Sequence, residues 1–338
     1  VSRCRRIVVD RYGGPDVLRL ALCETPAPGP GQVRLRMEAA GLAPADALMR
    51  AGRYPAGPRP GFVPGWDVVG RVEAAGPGVP ADWEGRRCAA LVLRGGHASH
   101  LCVNADRLVP VPAGVDALSA ACLPLNYVAA HQMLHRLATA RAGERVLVSG
   151  ASGGVGTALL DLARLAGPRA VGTASAGHAD VVSAFGAEPV DYRAGDVTAR
   201  IADLSGGDGV DIALDAVGGA TLTGAWRLLR PGGRLVSYGF PAAGLRSRRP
   251  SHAVLRQLLR LRWWSLVPQG RSAASYRLSA AARRRPETVQ EDLGALVGQL
   301  ASGRLRPLVA EAFPLERAAR AHELLALGRH TGKILLIP

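Results

Sequence analysis

Between Val146 and Gly156 the chain runs from the strand-like Val146-Leu147-Val148-Ser149 through glycines at 150, 153, 154 and 156 into a stretch, 155–165, with helical apolar faces. A buried strand, a turn rich in glycine and a helix in direct succession mark the opening of a βαβ unit. The alternation then continues. Residues 170–173 read as strand, 179–185 as helix, 210–214 as strand, 222–229 as helix and 234–238 as strand. Strands joined by helices of this length pair in parallel through right-handed crossovers, so this half of the chain is expected to form an α/β doubly wound parallel sheet.

The first 115 residues follow a different rule. Short strand-like segments (6–10, 17–24, 33–39, 68–75, 87–93 and 99–103) alternate with turns such as Pro26-Ala27-Pro28-Gly29-Pro30-Gly31 and Gly76-Pro77-Gly78. This predicts a small β-barrel, with one short helix over 44–50. Asp116 is placed to cap a helix running to Cys122, and 125–135 reads as helical. Further on, 253–267 is amphipathic, 291–301 and 315–327 read as helices, and 333–337 is a final strand expected to return to the N-terminal domain. The domains are therefore expected to be discontinuous: 1–118 completed by about 305–338, and 119–304 between them. A chain of 338 residues, 48% apolar and 20% charged, can bury two cores and does not match a disordered composition. It has no run of 18 apolar residues and no leader-like segment at its start, so a cytoplasmic location is expected.

The net charge is +15, from 42 basic and 27 acidic residues, and Lys333 is the only lysine. From Arg246 to Arg285 there are eleven arginines and no acid. Such a stretch can attract phosphate, an acidic partner or a membrane surface, or simply be a solvated cationic face. Within it, Ala253-Val254-Leu255-Arg256-Gln257-Leu258-Leu259-Arg260-Leu261-Arg262-Trp263-Trp264 has the composition of an interfacial helix, with a dimer-contact or cleft-lining helix as the plainer reading. No nucleic-acid recognition motif accompanies the charge, so no nucleic-acid partner is expected. Five scattered cysteines without a Cys-x-x-Cys pair make neither a disulfide framework nor a zinc knuckle.

Glycines between a strand and a helix have a chemical use. They let a diphosphate approach the backbone, and the helix beyond offers unpaired N–H groups and the positive end of its dipole. The spacing here is not the usual G-x-G-x-x-G, but the strand–turn–helix context is the one such a site requires. The second strand ends at Gly172-Thr173-Ala174-Ser175. NAD-binding chains usually place a carboxylate there for the ribose 2′-hydroxyl, whereas Ser175, with His178 close behind, can hydrogen-bond a 2′-phosphate; this favours NADPH. The other reading of Ser175 is a cap for the next helix.

Several segments together resemble the zinc-independent quinone oxidoreductase branch of the medium-chain dehydrogenase/reductase superfamily. They are Gly13-Gly14-Pro15-Asp16-Val17-Leu18, Pro64-Gly65-Trp66-Asp67-Val68-Val69-Gly70, Leu123-Pro124-Leu125-Asn126-Tyr127, Ala151-Ser152-Gly153-Gly154-Val155-Gly156, Gly172-Thr173-Ala174-Ser175, Asp215-Ala216-Val217-Gly218-Gly219 and Thr331-Gly332-Lys333. The resemblance implies a GroES-like β-barrel domain and a Rossmann domain with the active site in the cleft between them, and a homodimer. It also implies that Ala151, Gly153, Gly154 and Val155 form the pyrophosphate turn. Ser175, His178 and Tyr192 would surround the 2′-phosphate; Val217, Tyr238, Gly239 and Phe240 would flank the nicotinamide; and Asn126 and Tyr127 would enter the cleft. Zinc members carry a Cys after the turn near Gly41 and a Gly-His-Glu triplet; here these positions read Leu42-Ala43-Pro44 and Gly65-Trp66-Asp67, so no metal is expected. His97 and His100 then read as exposed turn polarity.

The resemblance implies hydride transfer from NADPH to a quinone or an α,β-unsaturated carbonyl, with Tyr54 or Tyr127 as the hydroxyl that stabilises the developing oxyanion or delivers the proton. Either tyrosine is alternatively an apolar wall with a polar tip. Two departures from the branch, Ala43 where many members have Asn and Ala129 where many have Thr, bear on the substrate. The alternatives are an enoyl reductase acting on a carrier-bound or polyketide-type intermediate, and a vesicle amine transport protein-like member that binds a membrane or partner with little catalysis.

Overall fold

The computed structural model describes residues 3–239, 250–266 and 270–338, with backbone alone at 250–253. The chain forms two compact units, Val1–Val128 with Ser279–Pro338, and Ala129–Leu278. The divisions thus fall after Val128 and Leu278 rather than near 118 and 304. The helix Pro286–Ala301 explains the second shift: it packs on the turn Leu123–Tyr127 of the first unit and buries Val289, Leu293, Leu296 and Val297.

The first unit opens with an antiparallel pair, β1 (Arg3–Val9) and β2 (Leu18–Glu24). Then come β3 (Gln32–Leu42), β4 (Asp67–Ala75), β5 (Arg87–Leu91), β6 (His100–Asn104) and the short β7 (Val109–Pro110). Neighbours among them pair antiparallel, β4 and β6 both against β3. Strand periodicity is plain in β3, where Val33, Leu35 and Met37 are buried among Val68, Val72, Cys88 and Val103 while the arginines between them are not. The helix Pro44–Arg50 forms where expected. Asp116 caps the helix Ala117–Ala121 by accepting from the Ser119 N–H at 2.8 Å. The helical stretch that follows is irregular: Leu123–Tyr127 and Gln132–Leu137 are wound as π-helix on either side of Val128–His131.

The second unit contains β8 (Arg145–Ser149), β9 (Arg169–Ala174), β10 (Glu188–Asp191), β11 (Val210–Asp215), β12 (Leu229–Tyr238) and β13 (Ser272–Tyr276). All pair in parallel, in the order β10-β9-β8-β11-β12-β13. The central strands β8 and β11 carry Val146, Leu147, Val148, Ile212, Ala213 and Leu214, each at most 2% exposed, as burial on both faces demands. β10, β13 and the helix Val197–Leu204 escape the sequence pattern. The two strands lie at the sheet's edges, one holding Pro189 and the other built mainly of Ser and Ala, where a strong apolar run is not required. From β8 the chain proceeds outward to β9 and β10, then returns to β11 and proceeds the other way, so the order reverses between β8 and β11.

The chain closes on the first unit. β14 (Val309–Pro314) lies parallel to β15 (Lys333–Ile337), and β15 pairs antiparallel with β3, Leu335 opposite Gly41. This register brings Lys333 Nζ to 2.7 Å from Asp67 Oδ2 on β4, with side chains 3% and 0% exposed. Burial pushes the Asp67 carboxyl up and the Lys333 ammonium pulls it back down. Gly41 makes the room, since a Cβ there would overlap Asp67 Oδ1 and Lys333 Cε. His97 is not turn polarity. It is fully buried with Nε2 3.1 Å from the Gly41 carbonyl oxygen, and burial lowers its pKa to about 4.

Removing one partner of a buried pair strands the other charge, so Lys333→Ala should cost about 3–5 kcal/mol in urea unfolding, and adding Asp67→Leu should recover part of it. A second expectation concerns Asp46, fully buried, whose carboxylate accepts from the Ala43 N–H at 2.9 Å and the Gly65 N–H at 2.8 Å. Burial raises its pKa from 3.8 to about 6 against these two bonds. A folded-state pKa above the unfolded one stabilises the fold below the unfolded pKa, and that stabilisation is lost as pH rises through the folded one. Relative to an Asp46→Asn variant, the native chain should therefore lose up to about 3 kcal/mol of unfolding free energy between pH 4 and pH 7, read from urea midpoints.

Candidate functional site

All six parallel strands point the same way, so their C-terminal ends gather on one edge of the sheet. At the end of β8, Gly150 takes φ 75° and donates its N–H to Thr173 Oγ1 at 3.2 Å, while the Ala151 N–H donates to the Thr173 carbonyl at 2.9 Å. The turn is thereby clipped to β9. Gly153 is the N-cap of the helix Gly154–Ala166. A Cβ at Gly156 would overlap the Gly150 carbonyl oxygen and the Ala151 backbone, so glycine is required for helix and turn to meet. The first-turn N–H groups of that helix, from Gly154 and Val155 onward, have no acceptor within the helix and carry its positive dipole end.

The end of β9 forms one wall of a hollow of about 200 Å³ lined by Ala174, Ser175, Ala176, Ala179, Pro189, Val190 and Asp191. Ser175 precedes a turn of 3₁₀ helix, Ala176–His178, but makes no capping bond; its Oγ lies 3.4 Å from His178 Nδ1. Asp191 Oδ1 accepts from the Arg193 N–H at 2.9 Å, and the Arg193 guanidinium sits 5.3 Å from the centre of the exposed Tyr192 ring. At the end of β11, buried Asp215 accepts from the Gly218 N–H at 2.7 Å, which fixes the turn carrying Val217 beside Gly150. Burial raises the Asp215 pKa against that bond. β12 ends at Tyr238, whose phenol burial pushes up, followed by Gly239 at φ 70°.

The strand ends thus present, at the reversal point of the sheet, backbone donors, a hollow lined by the Ser175 hydroxyl and the Asp191 carboxylate, and two apolar turns. In open α/β sheets this crevice is where ligands bind, and the glycine turn has the shape of a diphosphate cradle.

In the first unit, Tyr54 stacks edge-on against Trp66 at 5.8 Å, and its hydroxyl lies 3.5 Å from Ser279 Oγ. It packs against the cluster of Val9, Val17, Met49, Phe62 and Trp66, which Leu125 also touches. Asn126 and Tyr127 lie in the π-turn after Leu123 and are buried, Tyr127 to 2% exposure. Ala43 is the N-cap of Pro44–Arg50, and Ala129 is buried.

Comparison with known proteins fits this architecture. A zinc-binding dehydrogenase family model matches residues 185–336, and an alcohol dehydrogenase GroES-like domain model matches residues 29–113. The Escherichia coli quinone oxidoreductase, solved in complex with NADPH, superposes with a TM-score of 0.86 at 27% identity over 99% of this chain and 100% of that one. The synaptic vesicle membrane protein VAT-1 homolog of Mus musculus is 32% identical, covering 99% of this chain and 84% of its own length. The quinone oxidoreductase of Rattus norvegicus is 30% identical, over 98% of this chain and 97% of its own. The chain belongs to the quinone oxidoreductase branch of the medium-chain dehydrogenase/reductases.

As a member of that family it is an oxidoreductase with a GroES-like N-terminal domain and a Rossmann-like parallel sheet. Of the residues singled out from its sequence, Ala151, Gly153, Gly154, Val155, Ser175, His178, Tyr192, Val217, Tyr238 and Gly239 lie along the C-terminal edge of one sheet. Tyr54, Asn126 and Tyr127 belong to the other unit. Phe240, like Arg246, Arg248 and Arg249, lies outside the described residues. Three residues at the strand ends were not singled out from sequence: Thr173, which clips the turn, Asp191, which lines the hollow with Ser175, and Asp215, which fixes the Val217 turn. Asp191 directly precedes Tyr192, and Asp215 opens the Asp-Ala-Val-Gly-Gly motif, so both had a local signal.

Gly156→Ala should lower the melting temperature by several degrees and abolish dinucleotide binding, whereas Gly177→Ala, where a Cβ meets nothing within 4 Å, should do neither. Thermal melts and cofactor fluorescence titration check both.

Proposed function

We propose that this protein is an NADPH-dependent reductase of quinones or α,β-unsaturated carbonyls that works without zinc, as a homodimer. The observation that carries the reading is the glycine cradle at the sheet's reversal point with the Ser175 hollow beside it. The residues fit a nicotinamide dinucleotide. In the turn of Ala151, Gly153, Gly154 and Val155, the first-turn N–H groups of Gly154 and Val155 would hold the diphosphate, those of Gly150 and Ala151 being given to Thr173, and Ser175, His178 and Tyr192 would hold the adenosine end. Val217, Tyr238 and Gly239 would flank the nicotinamide together with Phe240. When bound, NADPH supplies the hydride.

Preference for NADPH rests on Ser175, and Arg193 adds a cation against the Tyr192 ring. Asp191 in the same wall opposes it, but its Oδ1 is engaged by the Arg193 N–H, a contact that holds the carboxylate to its own turn. Tyr54, half-buried and bearing a hydroxyl, is the candidate that stabilises charge on the acceptor's oxygen. Tyr127, with 2% of its surface accessible, suits a wall of the site better than a proton donor. Ala43 and Ala129 bring no hydrogen-bonding side chain to the acceptor, which leaves orientation to shape and backbone.

Stopped-flow oxidation of NADPH against a panel of quinones and enones tests the activity; no acceptor faster than the buffer rate would sink it. NADPH should bind at least about tenfold tighter than NADH, and Ser175→Asp should invert the order, because a carboxylate repels a 2′-phosphate. Equal affinities would refute the assignment of Ser175.

Independence from zinc rests on the donor set. Among the described residues no group of three His, Cys, Asp or Glu side chains could hold a metal. Asp67, at the position of the family's metal-site glutamate, is instead paired with Lys333. Elemental analysis should find well below one zinc per chain, and chelators should leave the rate unchanged.

A further inference from the structure

No spacing in the sequence pairs the five cysteines, but the register of β1 and β2 pairs two of them. Cys4 stands directly opposite Cys23, 19 positions further along, so both side chains leave the same face of the two strands. The N–H groups of Arg5, Ile7 and Val9 go to Ser99 Oγ and to the carbonyls of His97 and Phe62, away from β2. The alternate residues Cys4, Arg6 and Val8 therefore bond to β2, and Cys4 and Cys23 form a hydrogen-bonded pair, whose Cα atoms lie about 5.5 Å apart. A disulfide spans that distance. The other three cysteines have no such neighbour: Cys88 faces Gly70 and Pro110, Cys102 faces Arg34, and Cys122 follows the helix Ala117–Ala121.

The two thiols differ in access. Cys4 is 2% exposed, and the Ser99 hydroxyl donates to its sulfur at 3.6 Å. Cys23 is half-buried, and its S–H donates to the Cys4 carbonyl oxygen at 3.6 Å, which turns its sulfur toward β1. Burial pushes the Cys23 thiol up and the Cys4 thiol beside it adds to the rise, while the Arg6 guanidinium, two residues on along the same face, pulls it back. An accessible thiol with an enclosed one against it divides the work of oxidation: the first sulfur meets the oxidant and the second resolves the product.

We infer that Cys4 and Cys23 are a reversible redox pair that a peroxide closes into a cross-strand disulfide. The Cys23 sulfur, as thiolate, attacks one oxygen of hydrogen peroxide; an S–O bond forms, the O–O bond breaks, and the departing hydroxide takes up the proton that the thiol released. Cys23 is then a sulfenic acid and one water has left. The Cys4 sulfur attacks the sulfenic sulfur, the S–S bond forms as the S–O bond breaks, and the Cys4 proton leaves with the hydroxyl as a second water. Two thiols have given up two electrons and two hydrogens, and the peroxide has been reduced to two waters. Opposite residues in open strands hold their Cβ atoms about 4.5–5.5 Å apart, wider than the about 3.5–4.5 Å of a disulfide, so closing draws the strands together and leaves a bond that a dithiol readily reduces. The pair lies wholly in the first unit, and its chemistry is independent of the cofactor.

Hydrogen peroxide added to the whole reduced protein, followed by intact mass measurement and peptide mapping without reductant, tests it. The native chain should lose about 2 Da, with the peptide of Cys4 linked to the peptide of Cys23, and dithiothreitol should restore the mass. Cys23→Ser should show no loss. Cys4→Ala, which keeps the accessible thiol and removes its resolving partner, should instead gain about 16 Da and then about 32 Da as Cys23 passes to sulfenic and sulfinic acid. Cys102→Ser, which removes the other half-buried cysteine, should close like the native chain. Cys23 is half-buried, so circular dichroism and melting of Cys23→Ser should stay native; should Cys4→Ala fail to fold, the other three proteins still decide. The inference is overturned by a native chain that keeps its mass, by a 2 Da loss that persists in Cys23→Ser, or by a link that maps to Cys102 or joins two chains.

Discussion

A buried ion pair between residues 266 positions apart, Lys333 and Asp67, holds the ends of the first unit together. Arginine is the basic residue everywhere else in this chain, yet the one lysine occupies this place. A compact ammonium fits the space left by Gly41, where a planar guanidinium with five donors to satisfy would not. The pair also fixes register. A slip of β15 by one residue would turn Lys333 away from Asp67 and move Ile334 and Leu336 out of the cluster they share with Ile7, Leu42 and Phe313. The C-terminal strands are thus committed to the N-terminal unit, and the parallel sheet is closed off within the middle of the chain.

Within that middle, the chemistry follows from strand direction. Parallel pairing puts the ends of β8, β9, β10, β11 and β12 on one edge, and the ends of β9, β10 and β11 each contribute one short device. Thr173 clips the glycine turn, Asp215 clips the Val217 turn, and the Asp191 turn holds itself. Each device is a side-chain oxygen satisfying a backbone N–H, so the turns are set without any ligand and would meet one with little rearrangement.

Much of this was readable from the residues alone, and the reasons differ. The strands β8 and β11 announce themselves because burial on both faces forces an apolar run, and the turn at 150–156 because four glycines in seven positions have few other uses. The Asp116 cap is a local effect and was legible for the same reason. β10 and β13 were not, since an edge strand tolerates Pro189 or a row of Ser and Ala. The neighbourhood of Asp191 and Ser175 depends on the pairing of Asp191 with Ala174, and that register is set by the sheet, not by nearby residues. His97 looked like surface polarity because nothing around it in sequence reveals the Gly41 carbonyl that meets its ring. The resemblance to reductases located Tyr127, but only packing shows that its side chain is enclosed.

The two π-helical turns, Leu123–Tyr127 and Gln132–Leu137, have a consequence for how this stretch can change over evolutionary time. A π-turn holds one residue more than the α-turn it interrupts. Deleting a single codon from either would close it to an α-turn, and the helix beyond would keep its facing, because the π-turn had absorbed the extra residue. Asn126 and Tyr127 sit inside the first such turn. A one-residue change in length is therefore absorbed within the turn, and what it displaces is Asn126 and Tyr127 themselves rather than the helix that follows.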